Sequence, residues 1–571
     1  MKKKRVVPIF IIIIGLIFSG MVLFANLLGL DSNTSWSRLR ILALLACLLV
    51  TAIPLFFLFL PNQTDSILNR IKEIPFISNL LGSQTSKILI KYSFLLPIIC
   101  FVFILYVWFV SSGTWTDWVS PTRYYADLAR GFERGNLFMA TKPDHRLAEI
   151  SDPYDPLIRK ENDVEILLDA SYFQGKYYLY WGPVPALLLV PVQVFYHLRI
   201  GDMQLSFVFS CGLFIVLTLF TLFIREKFFD TLPKWTLSVS ILLIGTANPI
   251  MYMLNNYNSA MVYEVAIIGG QFFMIFGMLI AVSIFEQPFH YWKLILIGFL
   301  WTLAIATRLN LLLPVATMCI ILVCYWFTKN KGWKWLIKNV LCLAIPLILG
   351  GIALGWYNWV RFGSVTESGL YYQLLKGINL QTNTVPLLHP IYIPQNLYNN
   401  LFYSFGLDEQ FPFTRVRVGY MAPILSFYPL PDIYGAQRIT GILVSVPFVL
   451  FALIPFVKIA SRAYKNNQRN LNSLFWIIVM LGSVFGTAFV FLLFYYFSAM
   501  RYLTDFMPSL LILSTIGFWQ GYKELEQKPS KQKQYAILSI GIISLSIFFS
   551  IVIAVSINDA RFEIINWFTK S

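Results

Sequence analysis

Three aspartates lie in a polar stretch, residues 111–191, between two strongly apolar segments. Asp152 and Asp155 belong to the run DPYDP, and Asp169 belongs to the run DAS. A carboxylate can deprotonate an incoming hydroxyl group when it lies within hydrogen-bond reach of it, so all three are candidate catalytic bases. Asp-Pro also starts turns, and Asp169 could equally cap a helix. The DxxD spacing could also hold a divalent cation through oxygen, although that signal is weak.

Basic residues at the ends of apolar runs are the second group of interest. Lys176 lies in the run GKYYLYWGP, and Arg308 lies between two apolar runs. Arg501 directly precedes Tyr502 in the run MRYLTDFMP. A charge at such a place is costly unless it is paired or functional, and it could stabilise a departing phosphate. Snorkelling to lipid headgroups is the alternative. Aromatic residues and one acid near the same surface are candidates for lining a substrate site: Tyr177, Tyr178, Trp181, Glu264 and Tyr502.

The composition is that of a membrane protein. Hydrophobic residues make up 57% of the 571 residues and charged residues 13%, and the mean hydropathy is +0.67. Apolar runs of about 18 residues or more predict membrane-spanning helices. We predict thirteen, at about 7–30, 41–60, 92–111, 203–224, 236–254, 262–285, 293–306, 309–327, 337–357, 439–457, 473–496, 506–522 and 535–557. The fold class is therefore an all-α polytopic membrane protein.

The charge distribution predicts the orientation. With the N-terminus in the cytoplasm, the loops on that side carry 24 of the 44 Lys and Arg residues but only 7 of the 28 Asp and Glu residues. This asymmetry follows the positive-inside rule, and it explains the net charge of +16 without a nucleic-acid partner. Residues 183–198 are too short for a span and predict an interfacial helix instead. Two long loops, 112–202 and 358–438, and the C-terminus then lie outside the cytoplasm.

The domain organisation follows from these segments. Residues 1–91 form a transmembrane hairpin with an amphipathic connector at 62–87. Residues 92–522 form the main membrane domain, and residues 523–571 form a last helix and tail. All six cysteines fall in apolar segments, which argues against disulfides and zinc sites.

The arrangement resembles the GT-C glycosyltransferases, polytopic enzymes that use polyprenyl-phosphate sugars. The runs DPYDP, DASYFQGKYYLYWGPVPALL, VYEVAI, YNWVRFGSVTESGLYYQL and MRYLTDFMP look like a mostly uncharacterised bacterial group of that superfamily. The first outer loop of GT-C enzymes carries catalytic acids and runs into an interfacial helix. Many of them also have an acidic pair before a tyrosine at the start of that loop, where this chain has Ser120 and Pro121.

The resemblance implies a metal-independent, inverting transfer of a hexose or pentose in the bacterial inner membrane, as part of cell-envelope synthesis. The partners implied are a polyprenyl-phosphate-linked sugar, the lipid bilayer and an acceptor, which could be a glycan, a lipid or a protein. Two alternatives remain open at this stage. One is a transporter or flippase of a lipid-linked substrate, and the other is a catalytically inactive GT-C-like scaffold.

Overall fold

The computed structural model describes most of the chain after residue 90. The described ranges are 91–116, 118, 120–198, 200–255, 261–285, 290–329, 331–409, 412–419, 428–464 and 472–557, with four isolated positions before residue 91. Apart from those positions, the predicted helices 7–30 and 41–60 and the connector 62–87 lie outside the described residues. The chain divides into two compact units, Met1–Val119 with Asn558–Ser571, and Ser120–Ile557. The functional division into three parts stays a prediction.

Among the described residues, most elements are helices. In the first unit, α1 is Leu96–Val110. The second unit contains α2 Tyr124–Glu133, α3 Pro156–Glu161, α4 Val184–Tyr196, α5 Asp202–Phe228, α6 Lys234–Thr246, α7 Ile250–Leu254, α8 Val262–Ser283, α9 Tyr291–Thr307, α10 Leu312–Thr328, α11 Trp333–Phe362, α12 Ile393–Leu401, α13 Ile442–Ser445, α14 Leu453–Tyr464, α15 Ser473–Phe494, α16 Met507–Glu524 and α17 Pro529–Ser556. Its short strands are β1 Ser171–Phe173, β2 Lys176–Tyr178, β3 Gly406–Leu407, β4 Thr414–Arg415, β5 Arg417–Val418, β6 Gly435–Ala436, β7 Arg438–Ile439 and β8 Phe497–Ser498.

Within the described residues, eight helical segments are long and apolar enough to cross a membrane. They are Ser93–Val110, Asp202–Phe228, Lys234–Leu254, Val262–Ser283, Leu309–Thr328, Trp333–Phe362, Ser473–Phe494 and Pro529–Ser556. Each corresponds to a predicted helix, so the interpretation as a helical membrane protein is confirmed. The total of thirteen stays a prediction, because two of the predicted helices lie outside the described part of the chain.

Two predicted helices are interrupted near a proline, and the first of them still corresponds to one span, Lys234–Leu254. The segment 236–254 divides at Pro249, which cannot donate the backbone hydrogen bond that a helix requires. Asn248 bridges the break, since its Nδ2 donates to Ile244 O at 2.7 Å and its Oδ1 accepts from Ile250 N at 2.8 Å. The segment 439–457 divides into α13, a 3₁₀ turn that begins at Pro447, and α14.

Helix α8 lies at the centre of the second unit, and it is apolar around most of its circumference. It packs against α5 on one side and α9 on the other. A Cβ added at Gly277 would lie 2.5 Å from Trp301 Nε1 on α9, so only glycine permits this approach. Small residues bring helices close in membrane proteins, where van der Waals packing drives association.

Helix α4 forms where the interfacial helix was predicted. Its 13 residues rise roughly 20 Å, which is short of the ~30 Å hydrocarbon core. One side packs on α2, where Gln193 Nε2 donates to Ala126 O at 3.1 Å. The other side exposes Leu187, Phe195 and Tyr196, with Phe195 76% exposed. An apolar face of this kind suits a helix that lies along a membrane surface, which remains our interpretation of α4.

The two predicted outer loops fold against each other. Strands β1 and β2 form an antiparallel hairpin with Ser171 opposite Tyr178, and Ser171 also bridges to Gln373 in the second loop. Arg361, at the end of α11, holds this hairpin by donating from Nη1 to Leu179 O at 2.7 Å. Asp202, at the start of α5, caps α2 by accepting from the backbone N–H of Tyr124 and Tyr125. Both long loops therefore lie at the same end of the unit.

Candidate functional site

The backbone of Asp169 is fixed by the second loop. Its N–H donates to Leu374 O at 3.0 Å, and its carbonyl oxygen accepts from Gln373 Nε2 at 3.2 Å. Leu374 N–H returns a bond to Ala170 O at 2.9 Å. Asp169 has φ of +63°, in the left-handed region that non-glycine residues seldom adopt. Such a conformation persists only where the surroundings enforce it, and it often occurs at functional sites.

The Asp169 side chain lies near two groups from distant parts of the chain. Burial raises the pKa of its carboxyl above the ordinary aspartate value. The positive charge of Arg501 and a hydrogen bond with the Tyr263 hydroxyl both act to lower the same pKa. Lys376 contributes in that direction as well. Asp169 is thus a partly buried carboxyl group whose ionised form is opposed by burial and supported by a guanidinium.

Arg501 is 4% exposed and packs among aromatic rings. Its guanidinium carbon lies 4.3 Å from the ring centre of Tyr263 and 5.1 Å from that of Tyr502. Nη1 donates to Gln437 Oε1, whereas Nε has no hydrogen-bond partner within the described part of the chain. Neighbouring groups, Tyr502 and Glu264 first among them, outweigh burial and raise the pKa of Arg501, so the guanidinium is charged.

Tyr263 and Tyr502, which contact Arg501, line a cavity of about 310 Å³, whereas Arg501 and Asp169 themselves lie outside its lining. It is lined by the ends of four helices and by both loops: Tyr180, Trp181, Tyr263, Arg308, Leu309, Asn310, Leu312, Leu313, Ser368, Leu370, Phe491, Leu492, Tyr495 and Tyr502. The Arg308 guanidinium carbon lies 5.6 Å from the centre of the Tyr502 ring. The guanidinium group of Arg501 contacts the same ring. Its Nη2 forms an ion pair with Asp505 Oδ2 at 2.7 Å.

The cavity has a polar end and an apolar, open end. Arg308, Tyr263 and Tyr502 form the polar wall. Leu309, Leu312 and Leu313, where α10 begins, are 57%, 51% and 50% exposed, although they belong to an apolar helix. The wall therefore changes from charged to apolar toward the outer surface of the helix bundle. An amphiphilic molecule could place its head group by Arg308 and its chain along these leucines.

The other two candidate bases have structural partners. Asp152 Oδ1 accepts from Tyr154 N at 2.8 Å, and its Oδ2 accepts from Asn379 Nδ2 at 2.9 Å. Asp155 is the N-cap of α3 and accepts from Leu157 N at 2.8 Å. Both carboxylates thus fix turns and loop contacts. The described residues contain no group of three or more His, Cys, Asp or Glu residues arranged to hold a metal ion.

The structure does not bring Lys176 to the cavity. Its ammonium group lies 4.5 Å from the Phe138 ring centre, on the exposed face of β2. Tyr177 accepts from Leu167 N through its hydroxyl at 3.2 Å, and Tyr178 packs against Phe362. These three residues shape the β1–β2 hairpin. Of the candidate site residues, the structure places Trp181, Arg308 and Tyr502 on the cavity wall.

Of the neighbouring residues Tyr263 and Glu264 on α8, the uncharged tyrosine lines the cavity and the charged glutamate does not. Glu264 is fully buried and lies outside the cavity lining, where its charge acts on Arg501. Tyr263, its neighbour on α8, lines the cavity and contacts both Arg501 and Trp181. Successive residues on a helix point about 100° apart, and here Tyr263 faces the cavity while Glu264 points into the helix bundle.

Sequence reasoning also missed Asn310 and the partner of Asp505. Asp505 follows Arg501 by four residues, but its carboxylate binds Arg308 and Asn310. The signal that could have found Asn310 was its position two residues after Arg308 in RLNLLLP, a polar pair between apolar runs.

Gly182 sets how closely the segment after β2 approaches the end of α9. A Cβ at this position would lie 1.7 Å from Ala306 O, a distance that no contact allows. We expect Gly182→Ala to displace Trp181 and Arg308, because both flank this contact, and to cost about 1–3 kcal/mol of unfolding free energy. The unfolding midpoint in detergent measures the change. Gly351→Ala is the control, since a Cβ there meets open space; equal midpoints for the two variants would contradict the close packing.

Comparisons with known proteins give the following findings. No family model matches the sequence, and no curated protein matches it. The chain is similar to the crystal structure of the Archaeoglobus fulgidus oligosaccharyltransferase in the apo form, with 13% identity, a TM-score of 0.42, and coverage of 84% of this chain and 56% of that chain. It is also similar to the archaeal oligosaccharyltransferase AglB from Archaeoglobus fulgidus in complex with an inhibitory peptide and a dolichol-phosphate, with 10% identity, a TM-score of 0.41 and coverage of 83% and 56%. The chain thus spans about half the length of these proteins, and similarity at this level assigns neither a family nor an activity to it.

Proposed function

We propose that this protein is a membrane glycosyltransferase that moves a sugar from a polyprenyl-phosphate donor to an acceptor hydroxyl on the extracytoplasmic face. One observation carries the proposal: Arg308 lines a cavity that opens along exposed leucines, and Tyr263 and Tyr502 on the same wall contact Arg501, whose charge acts on the Asp169 carboxyl just outside the lining. The acceptor could be a glycan, a lipid or a protein. The bacterial inner membrane and cell-envelope synthesis come from the sequence resemblance.

The chemistry is a direct displacement. Asp169 accepts the proton of the acceptor hydroxyl as its oxygen attacks the anomeric carbon. The bond between that carbon and the phosphate oxygen breaks, and polyprenyl phosphate leaves with the electron pair. Arg308 lies on the cavity wall and stabilises the charge that develops on the phosphate. Attack opposite to the leaving group inverts the anomeric centre.

The charge balance of the site favours a singly charged phosphodiester over a nucleotide diphosphate. Arg308 is already paired with Asp505 at 2.7 Å. Arg501 lies in the field of Glu264, and Asp169 lies in the field of Arg501. The positive charges are therefore largely matched by carboxylates, and little net charge remains to hold two phosphates. A lipid-linked monophosphate also uses the apolar rim at Leu312 and Leu313, which a nucleotide would leave exposed.

The proposal is tested in proteoliposomes that contain the purified full-length chain. A panel of polyprenyl-phosphate sugars with a radiolabelled sugar is supplied together with crude acceptor fractions, and covalent transfer is measured with and without EDTA. We expect transfer that persists in EDTA. Counterflow of the lipid-linked sugar without a covalent product would instead indicate a transporter or flippase, and saturable binding without turnover would indicate an inactive scaffold.

A further inference from the structure

A second cavity, of about 780 Å³, lies at the end of the helix bundle opposite to the first. Helix α15 reaches both cavities, because Leu474 near its start lines the second and Phe491 near its end lines the first. At a rise of about 1.5 Å per residue, these two positions lie roughly 26 Å apart, which approaches the ~30 Å hydrocarbon core. The second cavity therefore lies on the face of the membrane that the charge distribution predicts to be cytoplasmic.

Two lysines from different helices line this cavity, Lys458 on α14 and Lys523 in the last turn of α16. Lys458 Nζ donates to Gln520 O at 3.1 Å and pairs with Glu524 Oε2 at 2.8 Å. Lys523 Nζ donates to Phe228 O at 3.4 Å. An ammonium group has three N–H donors, so among the described residues three of the six donors remain for a ligand or water. Both groups can be reached, since the Lys458 side chain is 26% exposed and Lys523 is exposed.

The charge balance of the cavity favours an anion. Its lining carries two ammonium groups and one carboxylate, that of Glu524, so one positive charge is in excess among the described residues. The Glu524 side chain is 67% exposed, and an ion pair this open to water is weak enough to exchange with a phosphate. The flanking charges at the ends of α5 and α16 cancel one another: Arg225, Glu226, Lys227, Asp230, Glu526 and Lys528.

An apolar wall adjoins the lysines. Leu453 and Val457, one turn apart on α14, line the same cavity and are 59% and 65% exposed, and Val457 directly precedes Lys458. A soluble phosphate would contact the lysines and leave this wall uncovered, whereas a phospholipid covers both with its head group and its acyl chains. The volume falls within the roughly 300–1,000 Å³ of small-molecule sites. Basic pockets between membrane helices on the cytoplasmic side are suited to anionic lipid head groups.

We propose that this second cavity binds an anionic phospholipid of the predicted cytoplasmic leaflet. Lys458 and Lys523 hold the phosphate, and the acyl chains lie along Leu453 and Val457. The site is separate from the cavity that contains Arg308, and the proposal does not depend on sugar transfer.

The experiment measures lipid binding by the purified full-length chain in an uncharged detergent. Phosphatidylglycerol, phosphatidylethanolamine and phosphatidylcholine with the same acyl chains are titrated into the micelles, and glycerol 3-phosphate is titrated separately. Native mass spectrometry counts the bound lipid, and the unfolding midpoint is recorded in parallel. The variants are Lys458→Gln, Lys523→Gln, their double variant and Glu524→Gln. The control is the double variant Lys531→Gln/Lys533→Gln, which removes two exposed lysines at the start of α17, outside the lining.

We expect wild type to bind phosphatidylglycerol about tenfold more tightly than the other two lipids. Each single lysine variant should weaken this binding about fivefold, and the double variant should weaken it by more than about tenfold. The control should stay within about twofold of wild type, because its lysines add only to the diffuse surface charge. Glu524→Gln should bind phosphatidylglycerol a few-fold more tightly, since it leaves Lys458 to the phosphate.

Four results would overturn the proposal. Equal binding of all three lipids would show that the cavity does not recognise an anion, and an equal loss in the control would assign the effect to diffuse charge. Unchanged binding in the double variant would mean that the lysines only stabilise the ends of α5 and α16. Displacement of the lipid by glycerol 3-phosphate at equal concentration would make a soluble phosphate the ligand. If the lysine double variant does not fold, the direction of the change in Glu524→Gln decides.

Discussion

Asp169→Asn is expected to lower the rate of sugar transfer by about 10²–10⁴-fold, the usual contribution of a general base. Asparagine keeps the size of the side chain but cannot accept the proton of the acceptor hydroxyl. The protein should remain folded, because Asp169 lies where burial already opposes its charged form. Single-turnover transfer in proteoliposomes, with the unfolding midpoint measured in parallel, gives both quantities.

Asp152→Asn is the matched control, since it makes the same substitution in the same loop. Asp152 accepts from Tyr154 and Asn379, so its loss should weaken a turn and change transfer by less than a few-fold. Asp155→Asn, at the α3 N-cap, should behave in the same way. A loss at Asp152 or Asp155 equal to the loss at Asp169, or no loss at Asp169, would remove Asp169 from the role of base.

The pH dependence of sugar transfer provides a second test of Asp169 as the base. The base must be ionised, and burial raises the pKa of Asp169, so transfer should fall as the pH is lowered through that raised value. The acid limb of kcat/KM should therefore lie above the ordinary aspartate pKa of about 3.9. It should be present in Asp152→Asn and absent from the residual activity of Asp169→Asn.

Asp505→Leu is expected to cost about 3–5 kcal/mol of unfolding free energy, because it leaves the Arg308 guanidinium buried without its carboxylate. The side chains of Arg308 and Asp505 are 12% and 2% exposed, so water cannot replace the lost partner. Unfolding in mixed micelles with increasing denaturant measures the change. Transfer should fall as well, since Arg308 would no longer be held at the cavity wall.

The double variant Arg308→Met/Asp505→Leu separates stability from function. It removes both charges together, so most of the stability should return. Transfer should stay low, by about 10²–10³-fold, because the group that stabilises the leaving phosphate is absent. Glu524→Leu, which removes the 67% exposed partner of Lys458, should cost less than about 1 kcal/mol. If the double variant were as unstable as Asp505→Leu, the Arg308–Asp505 pair would not be the source of the loss.

The charged residues of this site come from distant parts of the chain. Arg308 follows α9, and Arg501 and Asp505 follow α15, nearly 200 residues further along the chain. Each charge alone would be costly at the edge of an apolar helix. Together with Tyr263 and Tyr502 they form a compact polar cluster, in which aromatic rings separate the two guanidinium groups.

The sequence by itself determined the membrane-spanning segments, because apolar length is a local property that water and lipid enforce without reference to neighbours. It also marked Arg308 and Arg501, since a charge beside an apolar run is visible wherever the chain folds. Proline breaks such as that at Pro249 were harder to predict, because prolines also occur in continuous membrane helices when neighbours satisfy the freed backbone groups.

Only the tertiary structure decided which aspartate could be the base. Asp152 and Asp155 precede proline and Asp169 precedes alanine, and each of the three could cap a turn. Asp152 and Asp155 do so, whereas Asp169 is bonded to residue 374 and lies near Arg501, more than 300 residues away. The partner of Asp505 was decided in the same way. These choices depend on contacts between distant segments, and such contacts follow from helix packing, which local sequence does not specify.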